Sequence, residues 1–432
     1  MTADHDIDGS FSTARVTARE EAVTLSQDSY TAFLYPLDDE KLAPWRGMGV
    51  DEFSAIKRSP DFVQALLGDW RSLYEQPFVG ITTGGVVRDG VHPLGEARPN
   101  DPEPVDAARV LVDLLDAERR EALLHDLDAP DWRAWSNPEF VIHRVGLRLE
   151  EQDDAVVEAV HALMRASLST AGYARAREAM ELNGYLGELT GLETLMNDRS
   201  YWIALYGTPS VDAPWGWQLF GHHLALNVVF VGGRQVIAPV FIGAEPALSD
   251  GERAPLFDAR ERLAIELAES LSAEQRGEAV VYATVLDPAM PEGRVHPADE
   301  RHLAGAFRDN RVIPYEGIRA DRLTSAQRVL LRAIVEDFLL LLPDAQRERA
   351  LSEVADYLPE THLAWYGATD GSQPFYFRIQ SPVILAELDH HAGVWLSNRV
   401  PQRFHVHTTL RLPNGNDYGK AYLRQWRAAR PA

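Results

Sequence analysis

The chain has 432 residues, enough for one large domain or two ordinary ones and for a substantial buried core. Hydrophobic residues at 45% and charged residues at 25% are the composition of a soluble globular protein, and a formal net charge of −23 argues against nucleic acid or an anionic membrane as partners, since both select basic patches. There is no cysteine, so disulfides, thiolate metal sites and cysteine nucleophiles are excluded and any metal must be held by His, Asp, Glu or backbone oxygens.

Residues 1–24 are polar and acidic and read as a disordered tail. They lack the basic start and apolar stretch of a signal peptide, and no run of about 18 apolar residues offers a membrane span, so a cytoplasmic protein is expected. Tyr30–Trp45 and Pro77–Gly90 are short apolar runs cut by Pro, Asp and Gly, expected as loops and edge strands covering something. Val105–Leu127 carries Ala108, Leu111, Leu114, Leu115, Leu123 and Leu124 at helical spacing, and Trp132–Leu149 ends in a strand-like alternation. Glu150–Ser167 and Ala171–Leu195 are the clearest helices, the first opening on acidic residues that suit a helix N-terminus.

From Tyr201 the apolar period shortens from 3.6 to 2. Tyr201–Leu205, Trp215–Leu219, His223–Val231 and Val236–Ile242 read as consecutive antiparallel strands, with a Gly-Gly hairpin at Val231–Arg234. Leu256–Leu271 is helical and Ala279–Leu286 strand-like; Ser325–Leu342 and Asp344–Leu358 are amphipathic helices broken at Pro343. His362–Ala368, Phe375–Gln380, Val383–Asp389 and Arg403–Leu412 resume the strand pattern, and Asp417–Arg427 closes with a short helix. With neither a repeat nor a linker, the expectation is one α+β domain over residues 25–430. Antiparallel sheets would come mainly from 200–245 and 360–412, packed with a helical middle of about 105–195 and 325–358.

Ser167–Leu189, Tyr206–Asn227, Pro239–Pro246, Asp309–Gly317, Tyr376–His390 and His405–Gly419 are long segments rich in rare residue types. In these, and in PFVGITTGG and DWRAWSN, the chain resembles bacterial domain-of-unknown-function family 3500, over about residues 30–427. It departs from the family pattern after Gly419, where Lys420 stands in place of an acidic residue, and near the end, where Trp426 and Arg427 stand and a terminal histidine is missing. The resemblance brings little settled chemistry.

Two stretches carry the chemistry. Tyr206–Pro246 holds Trp215, Trp217 and the adjacent His222 and His223; near the C-terminus Glu387 is followed by His405 and His407. On a strand, His405 and His407 project from one face, where two neutral imidazoles can grip one ion. Glu387 sits in an apolar strand and needs a partner or a metal to justify its burial. Two imidazoles and a carboxylate are the facial set of non-haem iron, with zinc, manganese or copper also suited; the alternative is an ion-free network of His405 or His407 with Glu387. If His222 and His223 lie on a strand they point to opposite faces, so one is expected in the site unless Gly221 bends the chain to turn both inward. Arg378 and Arg411 are candidates to hold a carboxylate or phosphate, or else to pair with Glu387 or Asp389, and Tyr418 is a candidate acid or base. Trp215 and Trp217 are expected in the core; His296, His302, His390 and His391 lie among charges and are expected in solvated loops.

The expectation is a metal-dependent enzyme with a divalent iron, copper or zinc ion acting on a small organic, anionic substrate. Oxygen activation is preferred to hydrolysis because no second general base is evident. The alternatives are a zinc-type metallohydrolase, a closed structural metal site, and a non-catalytic binding protein with a Trp-lined pocket.

Overall fold

The computed structural model describes residues 30–248 and 254–430; the expected acidic tail lies outside the described residues. The strands are β1 (Leu124–His125), β2 (Leu147–Arg148), β3 (Tyr201–Tyr206), β4 (Trp215–Gly221), β5 (Leu224–Val231), β6 (Arg234–Ala244), β7 (Val280–Tyr282), β8 (Ile318–Arg319), β9 (His362–Tyr366), β10 (Tyr376–Gln380), β11 (Leu385–His390) and β12 (Val406–Arg411). All belong to one mixed sheet in the order β1-β3-β4-β5-β6-β12-β11-β10-β9-β7, with β2 paired to β3 and β8 to β9. The two expected sheets are therefore two antiparallel four-stranded halves joined edge to edge where β6 pairs with β12. Within this sheet the parallel pairs of described strands lie at the outer edges, β1 with β3 and β7 with β9.

Period-2 alternation gives this sheet two unlike faces. One face, with Ile203, Leu205, Trp215, Trp217, Leu226, Leu388, Leu410 and Phe377, forms the main core with the helices Asp154–Ser167, Thr170–Thr190 and Ser325–Phe338. These helices have recognisable ends. Asp153 accepts from Val156 N, Ser169 accepts from Gly172 N, Thr324 and Gln327 make a capping box, and Gly191 closes the long helix at φ +66°. Trp217 Nε1 donates to Ser167 Oγ, which settles the one polar atom that this indole brings into the core.

The other face is also buried. On the β3–β6 half it carries Trp202, Tyr206, Phe220 and Phe241 in a second apolar cluster with Trp70 and Tyr422 from the helices Asp61–Tyr74 and Lys420–Ala428. On the β9–β12 half it is polar and covered by loops. Register places Gly243, His407, Asp389, Tyr376 and Tyr366 in one row across β6, β12, β11, β10 and β9. The next row runs Phe241, Thr409, Glu387, Arg378 and Ala364. The expected strand at Trp132–Leu149 is reduced to Leu147–Arg148, and that at Ala279–Leu286 to Val280–Tyr282; the remaining residues are cover for the sheet.

Candidate metal centre

β4 and β5 meet in a two-residue loop formed by His222 and His223, with Gly221 paired to Leu224. The strand expected from His223 thus begins one residue later, and the parity argument for the two histidines does not apply. Both rings turn to the same side and stack, with centroids 3.8 Å apart. His223 achieves this with φ +63°, a left-handed conformation that residues with a Cβ seldom adopt. Its carbonyl accepts from Gly243 N and its own N–H donates to Asn137, so the turn is fixed from both sides.

This turn faces His407 on β12 and His405 just before it. Ring nitrogens of His223, His405 and His407 all lie within 4.8 Å of one another, and all three residues are buried. His405 Nδ1 donates to Ala392 O at 2.7 Å, which leaves its Nε2 as a lone pair, 3.1 Å from His407 Nε2. Two ring nitrogens at about 2.0–2.1 Å from one ion in tetrahedral geometry would stand roughly 3.3 Å apart, so the spacing fits shared coordination. Among the described residues the His223 ring nitrogens have no hydrogen-bond partner, and neutral imidazole is the ligating form. Burial, reinforced by the neighbouring imidazoles, holds His223 and His407 well below the ordinary histidine value. Gly243 makes the room: a Cβ there would stand 2.7 Å from His407 Cδ2 and 2.9 Å from His223 Cδ2.

A second convergent group, His302, Asp389 and His391, adjoins the first. The His391 ring lies against His407 with centroids 3.9 Å apart. Its Nε2 is 3.2 Å from Asp389 Oδ2 yet unaligned for a hydrogen bond, so it is buried without a partner among the described residues. His302 is already engaged, bonding Thr409 Oγ1 at 2.7 Å through Nδ1 and His407 O at 3.2 Å through Nε2. Asp389 accepts from Arg301 Nε at 2.7 Å and Arg301 N at 3.0 Å. His302 and Asp389 therefore read as supports that orient the strand carrying His407, while His391 keeps a nitrogen to offer.

The other expected site residues are placed as follows. His222 donates from Nδ1 to Asn183 at 2.8 Å, is pushed down to about 4 by burial, and stands outside both groups as the ring on which His223 stacks. Glu387 also stands outside them: its oxygens accept from Leu303 N, Ala304 N and Tyr376 OH at 2.9, 3.0 and 2.7 Å. The burial of this carboxylate is thus justified by protein donors. Arg411 is wholly buried and grips Asp417, Asp309 and the carbonyls of Ala304 and Gly305. Tyr418 donates to Asp309 and accepts from Trp135 Nε1. Arg378 pairs with Glu316 at 2.8 Å. Arg411 and Tyr418 are tied into a buried network that fixes the end of β12, and Arg378 is committed to the loop carrying Glu316. Trp215 and Trp217 face the helices, in the core as expected.

Two site residues contradict their expected exposure. His302 and His391 were expected in solvated loops, as was His390; all three are buried. His391 directly extends β11, whose alternation could have shown it on the face of Glu387 and Asp389. The signal is masked by the DHH run, which looks like a surface turn. His302 carries no local signal, since the loop that contains it folds back across the sheet.

A family model described as protein of unknown function (DUF3500) matches residues 100–420. No curated protein and no solved structure matches the chain.

Proposed function

The chain belongs to the family described as protein of unknown function (DUF3500), and from that premise we propose that it is a metal-dependent enzyme whose ion is held by His223, His405 and His407. One observation carries this reading: three buried imidazoles converge from a strained hairpin turn and one strand, and the tautomer of one is set by a backbone carbonyl. Three protein ligands without thiolate leave coordination positions for water, oxygen or substrate, whereas structural zinc sites are filled by four ligands. Imidazoles suit iron, copper and zinc alike. We favour iron or copper and oxygen activation on a small organic substrate, because a site this buried excludes bulk water from reactive chemistry.

Hydrolysis by a zinc-bound water is the second reading, and His391 supports it. An unpartnered imidazole nitrogen beside His407 is a candidate general base, and zinc lowers the pKa of bound water to about 7.

The test is element analysis by plasma mass spectrometry on untagged protein purified without chelator. The expected result is near-stoichiometric metal that is lost when His405→Ala and His407→Ala are combined, with far-UV circular dichroism close to wild type. Iron or copper directs the next assay to oxygen consumption and zinc directs it to hydrolysis. Protein that arrives empty and also refuses added iron, copper and zinc overturns the proposal.

A further inference from the structure

The loop between residues 294 and 311 crosses the polar face of the sheet beside the histidines. It carries Arg294, Arg301, Arg308 and Arg311 in a chain whose formal charge is −23. Arg301 is matched by Asp389 and Glu300. The other three are not matched in this way. Arg294 spends its donors on Tyr366 OH and Arg301 O, and its guanidinium lies 4.9 Å from the Tyr366 ring centre and 5.3 Å from that of Tyr376. Arg308 reaches Asp299 only at 4.0 Å, its Nε buried without a hydrogen-bond partner, and Asp299 is shared with His296. Arg311 is partly exposed and its side chain makes one hydrogen bond among the described residues, from Nη1 to Leu303 O at 3.2 Å; no described carboxylate lies within ion-pairing distance of it.

Glu387 lies close enough for its charge to favour the charged forms of Arg311 and Arg294, but it makes no direct pair with either. Leu303 N, Ala304 N and Tyr376 OH already occupy its oxygens. Burial and the nearby Arg308 charge pull Arg311 below the ordinary arginine value, as expected for a cation short of counter-charge. Leaving a guanidinium partly desolvated and unpaired is costly, and a planar fork of donors matches a carboxylate or phosphate in two-point fashion.

We infer that Arg311 and Arg308, beside the positive charge of Arg294, receive the oxyanion group, carboxylate or phosphate, of the substrate that the proposed metal centre acts on. Position supports the pairing of the two sites. Leu303, whose carbonyl holds Arg311, follows His302, whose ring bonds the His407 carbonyl. Tyr376, under the Arg294 guanidinium, is on β10, two strands from β12, which at 4.7–4.9 Å per strand spacing is roughly 10 Å. That span suits a small acid with its anionic end on the arginines and its reacting end toward the ion. The role as substrate site rests on the metal-centre reading; the binding of an anion at Arg311 does not.

The experiment is calorimetric titration of the full chain with malonate and, separately, with inorganic phosphate. Wild type, Arg311→Gln, Arg308→Gln and the His405→Ala/His407→Ala pair are compared, with ion content measured on each. Saturable binding is expected for one of the anions, weakened about tenfold or more in each arginine variant and retained in the histidine variant. Which anion binds decides between carboxylate and phosphate. Arg311→Gln should keep the wild-type ion content, so loss of the anion site and loss of the metal site are read separately. Absence of saturable binding in wild type, or unchanged affinity in both arginine variants, overturns the inference.

Discussion

His223 is the residue on which the site turns, and its backbone is the least comfortable part of it. A residue with a Cβ held at φ +63° pays a conformational cost that glycine avoids. The fold retains histidine there because the same geometry stacks its ring on His222 and aims it at His405 and His407. Replacing His223 by Gly and by Ala separates strain from ligation. Both variants should lose metal, but His223→Gly should be about 1 kcal/mol more stable to urea than His223→Ala in metal-free protein. Equal stabilities would mean that the turn stores no strain. The spacing of His405 and His407 was legible because strand parity is a local rule. The roles of His302 and His391 were not, because they depend on a loop crossing the sheet and on Arg301 neutralising Asp389 in the interior.

At the scale of elements, the strands β3–β6 and β9–β12 and the helices at 154–190 and 325–356 follow their patterns. The strands expected at Trp132–Leu149 and Ala279–Leu286 shrink to two and three residues, and the helices Val50–Lys57 and Asp61–Tyr74 lie outside the expected elements. What local pattern could not show is that two hairpin series more than a hundred residues apart join through β6 and β12. That seam places Gly243 opposite His407, so the site exists only after the long-range pairing has formed. The segment 391–404 then closes over it, held by Glu245 just beyond β6. The Glu245 carboxylate accepts from Val394 N, Trp395 N and Leu396 N at 2.8, 3.1 and 3.0 Å. The same segment supplies Ala392 O, which sets the tautomer of His405. In Glu245→Ala these buried amides lose a charged acceptor, at a cost on the order of 2–3 kcal/mol. Hydrogen exchange should speed up at residues 394–396 and ion affinity should fall, while the sheet amides stay protected. Unchanged protection at 394–396 would show that the segment is held by something other than Glu245.

Over the whole molecule, a sheet buried on both faces brings many imidazoles into the interior as neutral groups, and this sets a direction for acid stability. His92 is the cleanest reporter, because it belongs to neither candidate metal group, with its Nε2–H donating to Pro413 O. Burial pushes it down from 6.5 to about 4, the same value that burial gives His222. A histidine whose folded pKa lies below its unfolded value is protonated more readily in the unfolded chain. Its contribution to stability is therefore full above pH 6.5 and is lost as pH falls from there toward 4. Across that window each such histidine adds a slope of about 1.4 kcal/mol per pH unit to the unfolding free energy. Urea denaturation of chelator-treated protein between pH 4 and 6.5 should show this decline, with ions absent so that they do not compete with protons for His223, His405 and His407. His92→Gln keeps a donor toward Pro413 but cannot titrate, so its curve should be shallower by about one histidine's slope and should meet the wild-type shape above neutrality. If the two curves run parallel through the window, His92 is not held neutral by burial, and the acid sensitivity belongs to other groups.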